Sequence, residues 1–330
     1  IVFGDWSSDV CSSDLFAALS PDQYPAIVKA GFEGVKAGNP DAFVVGVAGA
    51  APGGWAGWYI PALRDAGGAA WMDSFSVHPY TSPSTCDVGY PTEGAPVPRA
   101  SLDLPQALTG GFASAIQQAR GFAQRPGLWI TELGWPSNVV GLAGQAQQAA
   151  RMALLVAAMP DDYARVFYYD FLCDGANPVE NEHNFGLVGF DYSPRPAYVA
   201  YAQATRAVGG RRFLRRLECP DSAVRLYLFG PEDDPLLVGW VTEVTPEELI
   251  AGARADGSKL GEANHAGSAL DLKRPVKVGL PGVQQVTVTD WQGREQVVPV
   301  SEGVLELQLS TWPQYVEGLG EATGVEAEQG

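Results

Sequence analysis

Between residues 20 and 208, short apolar runs alternate with segments whose apolar residues recur at helical spacing. This alternation restricts the fold more than any other feature of the chain. Ser20-Pro21-Asp22 starts the first helix, with serine at the cap and proline in the first turn, and Tyr24, Ile27, Val28, Gly31 and Val35 carry it to Gly38-Asn39-Pro40. Residues 43–49 read FVVGVAG, a continuous apolar run of the kind found in strands buried on both faces. A glycine-rich aromatic turn with Trp55 and Trp58 leads into a helix over about 57–66, and a second strand, 74–77, ends in His78-Pro79-Tyr80. A loop rich in proline, serine and threonine follows, over 81–105, then a helix over 107–122 and a third strand from 128. The pattern continues as a helix over 144–159, a fourth strand over 165–171 and a closing helix over 196–208.

Strands separated by helices predict a parallel sheet with helices outside it. The polar residues gather at the carboxyl ends of the strands, as they do in a (β/α)8 barrel. Four strand units are legible where a closed barrel needs eight. The expected fold class is therefore α/β, the second half (strands 5–8) of a TIM-type barrel. Past Gly209-Gly210 the texture changes. Arg211, Arg212, Arg215 and Arg216 form a basic cluster, read as a solvated or interdomain face, and short β-rich runs follow at 224–229, 236–242, 276–279, 286–289, 296–300 and 304–309. Gly230-Pro231, Pro281-Gly282 and Gly293 punctuate them, the pattern of a small antiparallel sandwich. The acidic, glycine-rich end of the chain, 318–330, is expected to be disordered. The expected domains are a partial barrel over 16–209 and a β-sandwich over 210–317. Residues 1–15 are set apart as a non-native leader, because 5–15 read DWSSDVCSSDL, the one-frame translation of a short-read library adapter.

The formal charge of −17 argues against nucleic acid and anionic membranes as partners and is compatible with a neutral polymer. No apolar run reaches the length of a membrane span. The three histidines, His78, His183 and His265, are far apart and lack metal-ligand spacing, and the glycines of 46–54 lack a phosphate-loop pattern, so neither a metal nor a cofactor is expected. Cys86 and Cys173 fall on loops at the same end of the strands, where an oxidising compartment would let them pair.

Residues 128–137 read LWITELGWPS: a short strand that ends in Glu132, Gly134, Trp135 and Pro136. A carboxylate at the carboxyl end of a buried strand is either catalytic or a cap for the next helix. The stretch resembles the seventh-strand motif of the clan A glycoside hydrolases, and His78-Pro79-Tyr80 resembles the His-x-Tyr that ends their sixth strand. Asn39-Pro40-Asp41-Ala42 before the first strand and Pro194-x-Pro196-Ala197-Tyr198 before the last helix add to the likeness, which covers about 16–208. The resemblance implies that Glu132 is the nucleophile, that the Tyr80 hydroxyl hydrogen-bonds it, and that His78 lines the subsite. It implies a second, acid/base glutamate after strand four in an Asn-Glu pair. Asn181-Glu182 comes too late in the chain to be that pair, so Glu182 is assigned to substrate contact or loop hydrogen bonding. Sugar CH faces stack on aromatic rings, which makes Trp135, Trp55, Tyr169 and Phe171 candidate platforms, although core packing would use the same residue types.

The resulting expectation is a secreted retaining glycosidase acting on β-glycans or their oligosaccharides. Retention needs two carboxyl groups roughly 5–5.5 Å apart. With the acid/base expected upstream of Phe16, the chain as written is expected to lack useful turnover. A second reading is a non-catalytic carbohydrate-binding or cell-surface protein with a degenerate barrel. A doubly wound nucleotide-binding fold is disfavoured because the dinucleotide fingerprint is missing.

Overall fold

The computed structural model describes residues 2–4, 23–49, 62–77, 128–158, 163–221, 223–242, 273–321 and 324–328. The chain divides into two compact units. The first comprises Ile1–Thr81, Gly89–Gly134 and Asp161–Tyr169, and the second Ser82–Val88, Trp135–Pro160 and Asp170–Gly330.

The first unit is built on a parallel sheet of five strands in chain order: β1 (Val2–Gly4), β2 (Val45–Gly49), β3 (Ser74–Val77), β4 (Leu128–Leu133) and β5 (Tyr163–Tyr168). The sequence pattern shows four of these. Val2–Gly4, placed by the sequence in a non-native leader, adds as a fifth beside β2, and three residues are too few to carry a legible period. Helix α1 (Tyr24–Gly38) precedes β2, and its end is tied to the sheet by one lysine. Lys36 Nζ donates to the Ala42 carbonyl at 2.6 Å and to Asp73 Oδ2 at 2.9 Å, and the same Oδ2 accepts the Val44 amide at 2.9 Å. One carboxylate thus fixes the starts of β2 and β3 together.

On one face of this sheet the rings of Phe43, Trp129 and Phe167 stack in series, with centroids 5.9 and 6.2 Å apart. Ser74 and Ser76 on the intervening β3 share that face with Trp129, and being small they let large rings on either side meet across them. The far end of the stack is open: Phe167 is 49% exposed.

The second unit contains α2 (Ser137–Ala157), a loop region over 170–195, α3 (Pro196–Val208) and the antiparallel strands. Helices α2 and α3 pack together through alanines, with Ala146, Ala149 and Ala150 on one and Ala197, Ala200 and Ala204 on the other all completely buried. Small side chains permit that close approach. Among the described residues nine strands follow: β6 (Arg212–Arg216), β7 (Val224–Gly230), β8 (Leu236–Val241), β9 (Arg274–Gly279), β10 (Gln285–Thr289), β11 (Glu295–Pro299), β12 (Val304–Leu309), β13 (Gln314–Glu317) and β14 (Glu326–Glu328). They form a six-stranded sheet, β11-β10-β13-β8-β7-β6, and a three-stranded one, β12-β9-β14. One apolar core serves both, with Leu226, Leu228 and Val241 from the larger sheet and Val278, Leu305 and Leu309 from the smaller.

Three features bear on the expectations above. The stretch after Gly318, expected to be disordered, is a structural part of the sandwich: Leu319 and Val325 are buried, and Glu326–Glu328 pair with β9. Backbone pairing holds it, and composition does not register that. The arginine cluster forms the edge strand β6 and its entry, where Arg211 meets Glu317 at 3.0 Å, Arg212 meets Glu232 at 3.1 Å and Arg215 donates to the Val325 carbonyl. The compact units also do not divide at 209/210, because α2 and α3 belong with the antiparallel strands. The cause is visible in α2, whose buried surface includes Gln145, Gln147, Gln148 and Arg151. Arg151, fully buried, donates to the carbonyls of Thr311 and Val241, and Gln147 Nε2 donates to Thr311 Oγ1 at 2.9 Å. Thr311 lies in the β12–β13 link. On the neighbouring turn, Trp291 (after β10) stacks on Trp312 with ring centroids 4.3 Å apart.

Candidate active site

Glu132 is the penultimate residue of β4, half-buried, at a place where the strand is irregular. From Ile130 to Leu133 β4 takes three steps, while β5 takes two from Val166 to Tyr168. The extra residue is a β-bulge, which bends a strand and re-aims a side chain, and bulges concentrate beside active sites. Regular pairing resumes at once: the Tyr169 amide donates to the Leu133 carbonyl at 2.9 Å. The glutamate is therefore held between two fixed points, one on each side of the bulge.

The other expected residues divide three ways. His78, Tyr80 and Trp55, with Trp58 and Cys86, lie outside the described residues. Tyr169 is half-buried at the end of β5, and Phe171 is 65% exposed, its ring edge-to-face with Tyr198 at 6.5 Å. Trp135 is different. Expected as a sugar platform, it is 0% exposed, and an enclosed indole has no face to offer. The turn that carries it is locked by Gln145, whose Nε2 donates to the carbonyls of Trp135, Asn184 and Phe185 at 2.9–3.0 Å.

Glu182 opens a short 3-10 turn, Glu182–Asn184, within the loop after β5. That loop is internally bonded. Asn184 Nδ2 donates to the carbonyls of Asn177 and Glu180, the Asn177 amide donates to His183 Nδ1 at 3.1 Å, and Asn181 Oδ1 accepts from Asn138 Nδ2 at 2.9 Å. Asn181 accordingly serves loop structure, one of the two roles expected for the Asn181-Glu182 pair. Arg195 closes the loop, with one nitrogen donating to Ser137 Oγ and to the carbonyls of Asn184 and Gly186. Cys173 is a buried free thiol whose pKa is raised by burial, so it is not half of a disulfide here.

One functional candidate is not singled out by the sequence. Asp170, the first residue of the loop after β5, has its carboxyl pushed up to about 7, first by burial and then by the Asp174 carboxylate. The available signal is an acid set inside an aromatic strand end, Phe167-Tyr168-Tyr169-Asp170-Phe171. Among the described residues, no three His, Cys, Asp or Glu side chains are grouped to hold a metal, and no helix is long and apolar enough to cross a membrane.

No family model matches the chain, and no curated protein sequence does. Its structure is similar to solved glycoside hydrolases. A family 39 glycoside hydrolase from the gut symbiont Bacteroides cellulosilyticus WH2 is 28% identical, with 89% of this chain and 54% of that one covered and a TM-score of 0.67. A glucosidase from Croceicoccus marinus is 13% identical over 96% of this chain and 68% of its own, with a TM-score of 0.57. AbfB, a family 51 α-L-arabinofuranosidase from Bifidobacterium longum, is 13% identical over 92% and 64%, with a TM-score of 0.52. The chain thus spans about half the length of the family 39 enzyme. The mixed α/β fold is that of these enzymes.

Proposed function

We propose that the chain is part of a secreted retaining glycoside hydrolase acting on β-glycans or their oligosaccharides, with Glu132 as the nucleophile. The observation that carries the reading is the β-bulge that sets Glu132 at the carboxyl end of β4, in a fold similar to that of glycoside hydrolases. In this reading β2–β5 are strands five to eight of the barrel, and β1 occupies the position of strand four, after which the acid/base would stand. Glu132 attacks the anomeric carbon, the aglycone leaves, and water later releases the glycosyl-enzyme. Phe171, Tyr169 and Glu182 contribute to sugar binding, and Tyr80 and His78 position the nucleophile.

The test exploits a leaving group that needs no protonation. The aglycone of a 2,4-dinitrophenyl 2-deoxy-2-fluoro-β-glycoside departs as a stable phenolate, so the nucleophile can be trapped without an acid partner. Xylosyl and glucosyl versions should add one sugar mass to the peptide containing Glu132, and the Glu132→Gln chain should stay unlabelled. Labelling at another carboxylate would remove the assignment. Sugar binding without any labelling would instead favour a non-catalytic carbohydrate-binding protein.

A further inference from the structure

Four aromatic residues of the second unit are largely in solvent: Phe171 at 65% exposure, Phe190 at 53%, Tyr192 at 77% and Tyr198 at 42%. The backbone segments that carry them are bonded side by side. The Phe171 carbonyl accepts the Val188 amide at 2.9 Å, the Leu187 carbonyl accepts the Arg195 amide at 3.1 Å, and the Arg195 carbonyl accepts the Tyr198 amide at 3.0 Å. Phe171 and Tyr198 meet edge to face, while Phe190 and Tyr192 stand at the tip of a hairpin closed by the pairing of Val188 with Pro194. At that tip the Gly189 amide donates to the Ser193 carbonyl and the Tyr192 amide to the Gly189 carbonyl, both at 2.8 Å. Asp191 braces the turn, its Oδ1 accepting the Ser193 amide at 3.0 Å and the Ser193 hydroxyl.

The hairpin holds Tyr192 at a φ of 65°, where a side chain crowds the backbone and glycine fits freely. The most exposed of the four residues is thus set on a conformation that works against it. Burial gives no compensation at 77% exposure, and an outlier of this kind points to a use for the ring. Charge and area decide what that use is. At about 200 Å² for a fully exposed aromatic side chain, the four together present roughly 450–500 Å². A stable protein interface takes about 800 Å² from each partner. The formal charge of −17 sets one copy of the chain against another and repels polyanions. Asp191, itself exposed, adds a carboxylate between Phe190 and Tyr192. A neutral polyhydroxylated chain meets neither obstacle, since its CH faces stack on rings and its hydroxyls donate to carboxylates.

We infer that Phe171, Phe190, Tyr192 and Tyr198 form a surface that binds a neutral polymeric glycan and holds several of its sugars at once. The inference rests on the glycosidase reading above for the choice of a β-glycan, and adds to it that the substrate is a polymer and not a short glycoside.

The experiment runs the full 330-residue chain in native gels containing neutral soluble β-glycans: arabinoxylan, xyloglucan or mixed-linkage β-glucan. Calorimetry then measures binding of the corresponding hexasaccharides and disaccharides. At least one polymer should retard the parent chain, with its hexasaccharide bound about tenfold tighter than its disaccharide. Tyr192→Gly is the decisive variant, because it removes the ring and suits the backbone. It should melt no lower than the parent yet lose about fivefold in affinity for the hexasaccharide. Phe190→Ala should lose a similar factor, and Tyr192→Phe should keep parental binding. Parental retardation of a folded chain carrying both Tyr192→Gly and Phe190→Ala would overturn the inference, as would a parent that none of the three polymers retards. A shift from dimer to monomer on Tyr192→Gly, read by sedimentation, would also overturn it by giving the surface to a second copy. None of these outcomes bears on Glu132, whose trapping with the small fluoroglycosides is read separately. Glycan retardation lost in Tyr192→Gly, in a chain that shows no trapping, would leave this surface standing without the nucleophile.

Discussion

Glu132 stands near the end of β4 and Asp170 just beyond the end of β5, and their immediate surroundings differ. Glu132 stands on a bulge, while Asp170 is half-buried with the carboxylates of Asp174 and Glu182 acting on it. Linkage turns the second fact into a stability prediction. The folded-state pKa of Asp170, about 7, lies above the ordinary 3.8, so the folded chain holds a proton that the unfolded chain releases earlier. Its contribution to stability is fully present below pH 3.8 and is lost as pH rises through about 7. Asp170→Asn cannot ionise. Thermal melts should therefore show the variant gaining on the parent as pH is raised from 5 to 8, with the difference shrinking towards acid. A difference independent of pH would mean the carboxyl does not titrate there. Composition cannot reveal this residue, because an acid at a strand end looks the same whether or not burial and neighbouring charges surround it. The sequence singles out Glu132 because its neighbours form a motif; the same motif is silent about which side of the chain is covered, so it does not show that Trp135 is enclosed.

At the scale of elements, the sequence pattern locates what repeats. Helices α1 and α3 and strands β3, β4 and β12 stand where periodicity puts them, since each has an apolar face or run to bury. Helix α2 is legible only from Gly144 onward, because Gly141 interrupts it: its φ of 75° and ψ of 160° are not helical, and the helix kinks there. The buried polar face of α2 is not legible either. Glutamines and an arginine normally face water, and their burial here depends on carbonyls that lie far along the chain. Arg151→Met preserves volume but withdraws the donor from the Thr311 and Val241 carbonyls. Urea denaturation should show a loss of roughly 2–3 kcal/mol. A neutral result would mean that water replaces the guanidinium at those carbonyls.

For the whole molecule, the second unit joins α2, α3 and the loop that carries Asp170 with the antiparallel strands that follow them, so the sandwich is more than an appendage. Its final strand is part of that argument. Ending the chain at Gly320 would remove β14 from β9, expose the core around Val325 and release Arg215 from the Val325 carbonyl. Filling such a core position is worth about 1.5–3 kcal/mol, so the shortened chain should unfold at measurably lower denaturant concentration than the full one. An unchanged midpoint would return residues 321–330 to the status of a dispensable tail. Strands β13, β14 and β1 escape the sequence pattern, and each is received by a partner remote in the chain: β8 for β13, β9 for β14 and β2 for β1.

The indoles of Trp291 and Trp312 lie 4.3 Å apart and within 19° of parallel, one on the turn after β10 and the other beside Thr311. Rings so close share their electronic excitation, which gives a paired signal in circular dichroism that neither ring produces alone. The pair is a built-in optical reporter. Its signal will vanish when the link that receives Arg151 comes apart, and it can be read without attaching a label.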